Sequence, residues 1–194
     1  IKYLNNEEET EEESDDTNTI KVSGNNIYFY SEITRQSILD LTLIIKELTV
    51  KLLNLINVYE VDIPCIKLHI NSEGGEVFAV FSILKLIESN TIPIHSIIEG
   101  QACSAATMLS VVAEKRFITE HSYMLIHNLS SDFWGKMHEL EDEMINLKEL
   151  TRKIKSIYKT YSTIKKNELE KLLKKDLLLT PNVCKRHGLI DEII

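Results

Sequence analysis

Ser104 occupies a junction that suits a nucleophile. In Glu99-Gly100-Gln101-Ala102-Cys103-Ser104-Ala105-Ala106-Thr107-Met108-Leu109, an apolar run through Ile94, Ile97 and Ile98 passes Gly100 and stops at Ser104, after which the residues favour helix. A hydroxyl there meets unpaired helix-end amides and the positive end of a helix dipole. Its small neighbours Ala102, Ala105 and Ala106 leave room for a substrate backbone. The same pattern also serves plain packing. Upstream, the short apolar strand Ile66–Ile70 ends in Asn71-Ser72-Glu73-Gly74-Gly75, ahead of the helical pattern Val77, Val80, Phe81, Leu84, Ile87. Paired glycines at such a turn let backbone N–H groups face an anion, and they also make an ordinary tight turn. Downstream, Tyr123–Asn128 delivers His127 at a strand end, where structural and surface histidines also occur. Asp176 precedes the triplet Leu177-Leu178-Leu179 and a Thr180 helix cap with Pro181 at the first helical position, surroundings that a solvated loop acid shares.

Together these blocks resemble the Clp protease proteolytic subunit (ClpP) family of serine peptidases. The resemblance runs from about Ile27 to the C-terminus. It rests on Ile70-Asn71-Ser72-x-Gly74-Gly75, Gly100-Gln101-Ala102-x-Ser104, Met124-x-Ile126-His127 and Gly188-Leu189-Ile190-Asp191, in the family's order and at similar separations. It implies that Ser104 is the nucleophile, His127 the general base and Asp176 the orienting acid, with the backbone N–H groups of Gly75 and Ala105 as the oxyanion hole. The implied fold is α/β, a ClpP/crotonase-like spiral of repeated ββα/βαβ units with a protruding handle helix. The implied activity is endopeptidase cleavage of unfolded polypeptides inside two stacked seven-membered rings. A separate AAA+ unfoldase of the Clp type would feed that barrel, and ClpP paralogues are possible ring partners.

Elementary chemistry agrees with those roles. A serine hydroxyl is a poor nucleophile until an imidazole takes its proton, and a carboxylate holds that imidazole in the right tautomer. Each oxyanion-hole amide contributes about 2.7–4 kcal/mol in a studied protease. The order Ser, His, Asp excludes the trypsin and subtilisin arrangements, and no Gly-x-Ser-x-Gly elbow marks an α/β-hydrolase. No Gly-x-x-x-x-Gly-Lys-Ser/Thr loop occurs, so no cofactor is expected in this chain and any ATP belongs to the partner. Two other readings compete. A non-catalytic ring subunit of a mixed barrel would characteristically lose Ser, His or Asp, and this chain keeps all three. A crotonase-type acyl-CoA enzyme would need carboxylate catalysts rather than Ser104 with His127.

The elements that must position these residues follow from periodicity. The expected strands are 27–30, 66–70, 94–98, 116–119 and 122–127; the expected helices are 34–58, 76–89, 104–113 and 136–161. Strand–helix alternation predicts helices packed on a mainly parallel sheet. Helix 136–161 matches the family's handle in place, although a helix packed on its own domain would carry the same apolar stripe.

Composition bounds the rest. The chain has 194 residues, 43% hydrophobic and 27% charged, enough for one domain with a real core. Its net charge of −8 originates in Glu7–Glu9, Glu11–Glu13, Asp15 and Asp16, with no base among them. Residues 1–19 are therefore expected to have little fixed structure, as a solvated tail or an acidic fringe around a pore, and residues 20–194 to form a single peptidase domain. Bases elsewhere are scattered among acids, so no nucleic-acid partner is expected. No signal-peptide pattern opens the chain and no apolar stretch suits a membrane span, so no membrane partner is expected. Cys65, Cys103 and Cys184 give neither a disulfide framework nor a metal motif; Cys65 and Cys103 read as buried thiols, which fits a reducing cytoplasm or organelle matrix.

Three departures from the family pattern stand near the site. Glu73 replaces the proline before the glycine pair, and Leu129 replaces the proline two residues after the histidine. Lys174-Lys175 replaces an acid–arginine pair that links ring contact to activity; a lysine keeps a cation without arginine's bidentate fork.

Overall fold

The structure is a computed structural model and describes residues 19–59 and 65–194. Its sheet begins with a hairpin of β1 (Thr19–Ser23) and β2 (Asn26–Tyr30), closed by a two-residue turn in which Gly24 takes φ 61°. From β2 the pairing becomes parallel, through β3 (Ile66–Ser72), β4 (Ile94–Cys103), β5 (Lys115–Ile118) and the C-terminal β8 (Glu192–Ile193). Parallel neighbours need crossover connections, which α1 (Arg35–Tyr59) and α2 (Val77–Ser89) provide. The central strands are rich in isoleucine, and Ile66, Leu68, Ile70 and Ile98 are wholly buried.

α1 turns Ile38, Leu41, Ile45, Leu48 and Leu52 inward, the three-and-four spacing of one helix face. It packs on α2, which packs on α3 (Ala105–Val111). Every residue of α3 is buried, and its small side chains let it lie close on β4. α4 (Met137–Tyr161) buries only Ile154, Ile157 and Tyr158, all towards its C-terminal end, while Met137, Met144 and Ile145 stand exposed. α5 (Lys166–Leu172) and α6 (Pro181–Arg186) complete the helices. No helix among the described residues is long and apolar enough to cross a membrane.

β4 does two jobs, and its length explains how. Its first half pairs with β5, from His95 against Lys115 to Ile98 against Ile118. Its second half pairs with β6 (Tyr123–Leu125), from Gln101 against Tyr123 to Cys103 against Leu125. Between them the register to β3 slips, so that Ile70 faces Ile98 but Ser72 faces Ala102. Gly100 sits in this bulge at φ 82°, and its N–H donates to Ser122 Oγ at 2.7 Å. The bulge falls where the strand changes partner from β5 to β6.

Several boundaries differ from expectation for local reasons. The strand expected at 94–98 continues through the bulge to Cys103, and the strand expected at 122–127 shortens to three residues. Strands β1, β7 (Leu178–Leu179) and β8 and helix α5 carry too little periodic pattern to be delineated from sequence. Of the tail expected at 1–19, Thr19 opens β1 and the rest lies outside the described residues. Thr180 stands at the N-cap of α6 with Pro181 in the first turn, but its hydroxyl makes no capping bond. Cys65 is half-buried rather than buried; Cys184 is wholly buried, and burial pushes its thiol up to about 12.

Candidate active site

The end of β4 carries a strained serine. Ser104 has φ 54° and ψ −123°, and it is the one non-glycine residue with positive φ among the described residues. Such a conformation costs of order 1–3 kcal/mol and persists only where the surroundings enforce it. Here the Ser104 N–H donates to Leu125 O at 2.8 Å, which ties the turn to β6. The Ser104 carbonyl accepts from the Thr107 N–H at 3.2 Å and from Thr107 Oγ1 at 2.6 Å. Since Thr107 spends its proton there, the buried Tyr158 hydroxyl of α4 donates to Thr107 Oγ1. Ser104 itself is half-buried, at the mouth of the buried helix α3.

The glycine pair backs directly onto this turn. Gly74 has φ 104°, and a Cβ on it would lie 2.7 Å from Cys103 O, 2.8 Å from Ser104 Cβ and 3.2 Å from Ala105 N. Only glycine allows the two turns to touch. Gly75, at φ 138°, forms an isolated parallel bridge with Ile33. That bridge engages the Gly74 carbonyl (from Ile33 N–H, 2.7 Å) and the Glu76 amide (to Ile33 O, 2.8 Å), not the Gly75 N–H. Ala105 opens α3, so its N–H has no acceptor within the helix. Among the described residues, these two amides are therefore left over on turns that pack against Ser104. Beside them lies a cleft of about 580 Å³, lined by Tyr30, Asn71, Glu73, Gly74, Gly75 and Gln101 among others. Glu73 is exposed there and accepts from Gln101 Nε2 at 3.4 Å.

His127 and Asp176 meet through strand pairing. β7 runs antiparallel to β6, with Met124 opposite Leu179 and Leu125 opposite Leu178. Continuing that register by two residues sets His127 opposite Asp176, and His127 Nδ1 lies 3.3 Å from Asp176 Oδ1. The Asn128 N–H donates to Leu173 O at 2.9 Å and fixes the following residue to the end of α5. The structure thus brings His127 to Asp176, and the Ser104 turn to the end of β6, two residues before His127. Among the described residues no hydrogen bond joins Ser104 Oγ to His127, and contacts of that kind often tighten only around substrate.

Sequence reasoning missed several supports. Ser122 and Thr107 brace the serine strand and turn, yet neither carries a local signature of that role, whereas the Gly74-Gly75 pair stands out in the sequence. Ser72, whose Oγ accepts from the Gly74 N–H at 3.2 Å, is another such support. No group of His, Cys, Asp and Glu among the described residues could hold a metal ion.

The Ser104 turn, the glycine-pair turn and the His127–Asp176 pair thus stand together at one end of a mixed α/β sheet. The family model for Clp proteases matches residues 21–194, and the chain belongs to that family. Among curated proteins it is 28% identical over 131 residues to an ATP-dependent Clp protease proteolytic subunit of Deinococcus radiodurans, a match covering 66% of this chain and 64% of that protein. It is 30% identical over 129 residues to an ATP-dependent Clp protease proteolytic subunit 1 of Chlamydia pneumoniae, covering 64% of this chain and 68% of the relative. The chain therefore matches just under two thirds of the Deinococcus protein's length. Among solved structures, a mutant ClpP1 from Listeria monocytogenes superposes with a TM-score of 0.75 at 22% identity, over 88% of this chain and 91% of that one. The likeness shows that the fold is that of ClpP.

Proposed function

We propose that this chain is the proteolytic subunit of a Clp-type protease, an endopeptidase in which Ser104 attacks the peptide carbonyl. His127 takes the hydroxyl proton and later returns it to the leaving amine; Asp176 holds the imidazole in place and stabilises its charged form. The Gly75 and Ala105 amides receive the oxyanion. The observation that carries this reading is the β6–β7 register, which leads to His127 Nδ1 lying 3.3 Å from Asp176 Oδ1, two residues beyond the strand end that binds the Ser104 turn. The exposed apolar side chains of α4, Met137, Met144 and Ile145, support assembly into stacked rings, with a separate Clp-type ATPase delivering unfolded polypeptide.

The test is Ser104→Ala against wild type, with a fluorogenic peptide, a serine-directed fluorophosphonate and sedimentation. Wild type is expected to cut and to be labelled; the variant is expected to lose both while sedimenting as wild type does. Cleavage by the alanine variant at the wild-type rate would remove Ser104 from the mechanism.

A further inference from the structure

The cleft beside the two turn amides carries charge of one sign. Among the described residues its lining holds two carboxylates, Glu32 and Glu73, and no lysine, arginine or histidine, and neither carboxylate enters an ion pair. The base nearest in sequence, Arg35, is turned to Glu76 at 3.4 Å. Of the two acids, Glu73 is the one the fold holds in place. Gln101 Nε2 donates to its Oε1 at 3.4 Å, and Gln101 Oε1 accepts from Cys103 Sγ at 3.5 Å. Gln101 therefore brackets the carboxylate to the end of β4 that leads into Ser104. Burial first, and then the Glu73 charge, push the Cys103 thiol above its ordinary range, so the field of that carboxylate is felt one residue from Ser104.

Glu73 is also close along the chain. Two residues separate it from Gly75, so their Cα atoms lie at most about 7.6 Å apart. A peptide carbonyl on the Gly75 amide would bring the substrate residues flanking it within reach of the carboxylate. A long basic side chain suits that geometry, because its methylenes span the gap and its charged end meets an exposed, unpaired acid. An acidic side chain there would meet like charges with no base to neutralise them. Glu73 takes the place of a proline of the family pattern, so the charge belongs to this chain.

We propose that Glu73 is a specificity-determining residue, which selects lysine or arginine over neutral and acidic side chains next to the scissile bond. The proposal deepens the peptidase reading and rests on it for the position of that bond. Gln101 positions the carboxylate, and Glu32 adds to the negative field of the cleft.

The experiment uses the full chain and fluorogenic peptides of one sequence that carry Lys, Gln or Glu on one side of the scissile bond. A second set makes the same exchange on the other side, and the bond cut is located by mass spectrometry. Turnover is compared as kcat/KM in the wild type, and binding of the same peptides by fluorescence anisotropy in the Ser104→Ala chain. In one set lysine is expected to be favoured about fivefold over glutamine at low salt in both measurements, which is about 1 kcal/mol, with glutamate below glutamine. Salt at several hundred millimolar should narrow the spread. Glu73→Gln keeps an oxygen for the Gln101 bond and removes only the charge, so it should bring the lysine-to-glutamine ratio close to one. Glu73→Lys should invert the order. Glu114→Gln, an exposed position beside the N-terminal end of β5, should leave the ratio unchanged and so separates Glu73 from the overall negative charge of the chain. Equal treatment of lysine and glutamine in both sets, or a preference that Glu73→Gln keeps, overturns the proposal. If Glu73→Gln fails to fold, Gln101→Ala, which frees the carboxylate from its bracket, must lower the ratio instead. If wild type cuts no peptide of either set, the peptidase reading fails, while the anisotropy ratio still decides the role of Glu73.

Discussion

Asp176 and Asp191 each face a basic side chain, and the fold restrains them very differently. Asp191 closes a knot with Arg116: its carboxylate accepts from the Arg116 backbone N–H at 2.9 Å, from Nε at 3.1 Å and from the terminal guanidinium nitrogen. Its own N–H donates to Arg116 O at 2.8 Å. The other guanidinium nitrogen reaches Gly188 O at 2.9 Å and Tyr161 O, so β5, α4 and the C-terminal strand meet at one side chain. Asp176 makes a single contact to its histidine, and its side chain is 79% exposed. One carboxylate is locked and holds structure. The other sits on an open chain segment, where, under the proposed function, its loss would disturb chemistry and little else.

Substitutions that remove each carboxylate separate these roles. The largest effect is expected for Asp176→Asn, which should lower kcat by about 10⁴-fold by loosening control of the His127 tautomer. Its urea midpoint should correspond to a stability change below about 0.5 kcal/mol, because exposed pairs contribute little. A chain that cleaves normally without this carboxylate would remove the contrast.

Asp191→Asn should do the reverse. It should cost about 1–2 kcal/mol of stability in urea unfolding, less than a fully buried pair because Asp191 is 44% exposed. Turnover of the folded fraction should change less than about threefold. A turnover loss matching that of Asp176→Asn would mean that the knot itself shapes the site.

The smallest effect is one of pH. Burial pushes the Asp191 carboxyl up, but the Arg116 hydrogen bonds, charge and backbone amide outweigh it and hold the group below its ordinary range. Its contribution is therefore fully present above the unfolded value of about 3.9 and is lost as pH falls through the lower folded value. Unfolding midpoints of wild type and Asp191→Asn should converge as pH drops from about 5 towards 2. Curves that stayed parallel would detach that stability from the carboxylate's charge.

The same contrast explains what was legible beforehand. The strand into Gly74-Gly75 and the strand into Ser104 announce themselves because each is a short apolar run broken by small residues at one place. Helices α1 and α4 are written in their periodicity. Asp176 had no signal of its own: β7 is two residues long, and only its pairing with β6 sets the acid across from His127. From residues alone it is an ordinary loop acid, and the family resemblance singles it out. Arg116 shows in the sequence only as part of a short strand, since its bonds reach residues 45 to 75 positions away. The bulge at Gly100 was hidden for a similar reason, because a register slip belongs to two strands and is written in neither.

α4 is a cantilever. Its buried anchorage is confined to Ile154, Ile157 and Tyr158, and most of its length stands in solvent beyond them. The root is joined to the serine turn by two hydroxyls in series, Tyr158 to Thr107 and Thr107 to the Ser104 carbonyl. The core around that joint is close-packed and has no slack to absorb a shift. A load applied at the free tip, about 30 Å out along the helix from its last anchored turn, therefore acts on the root as torque. That torque reaches the backbone of the strained serine through the Tyr158 and Thr107 hydroxyls.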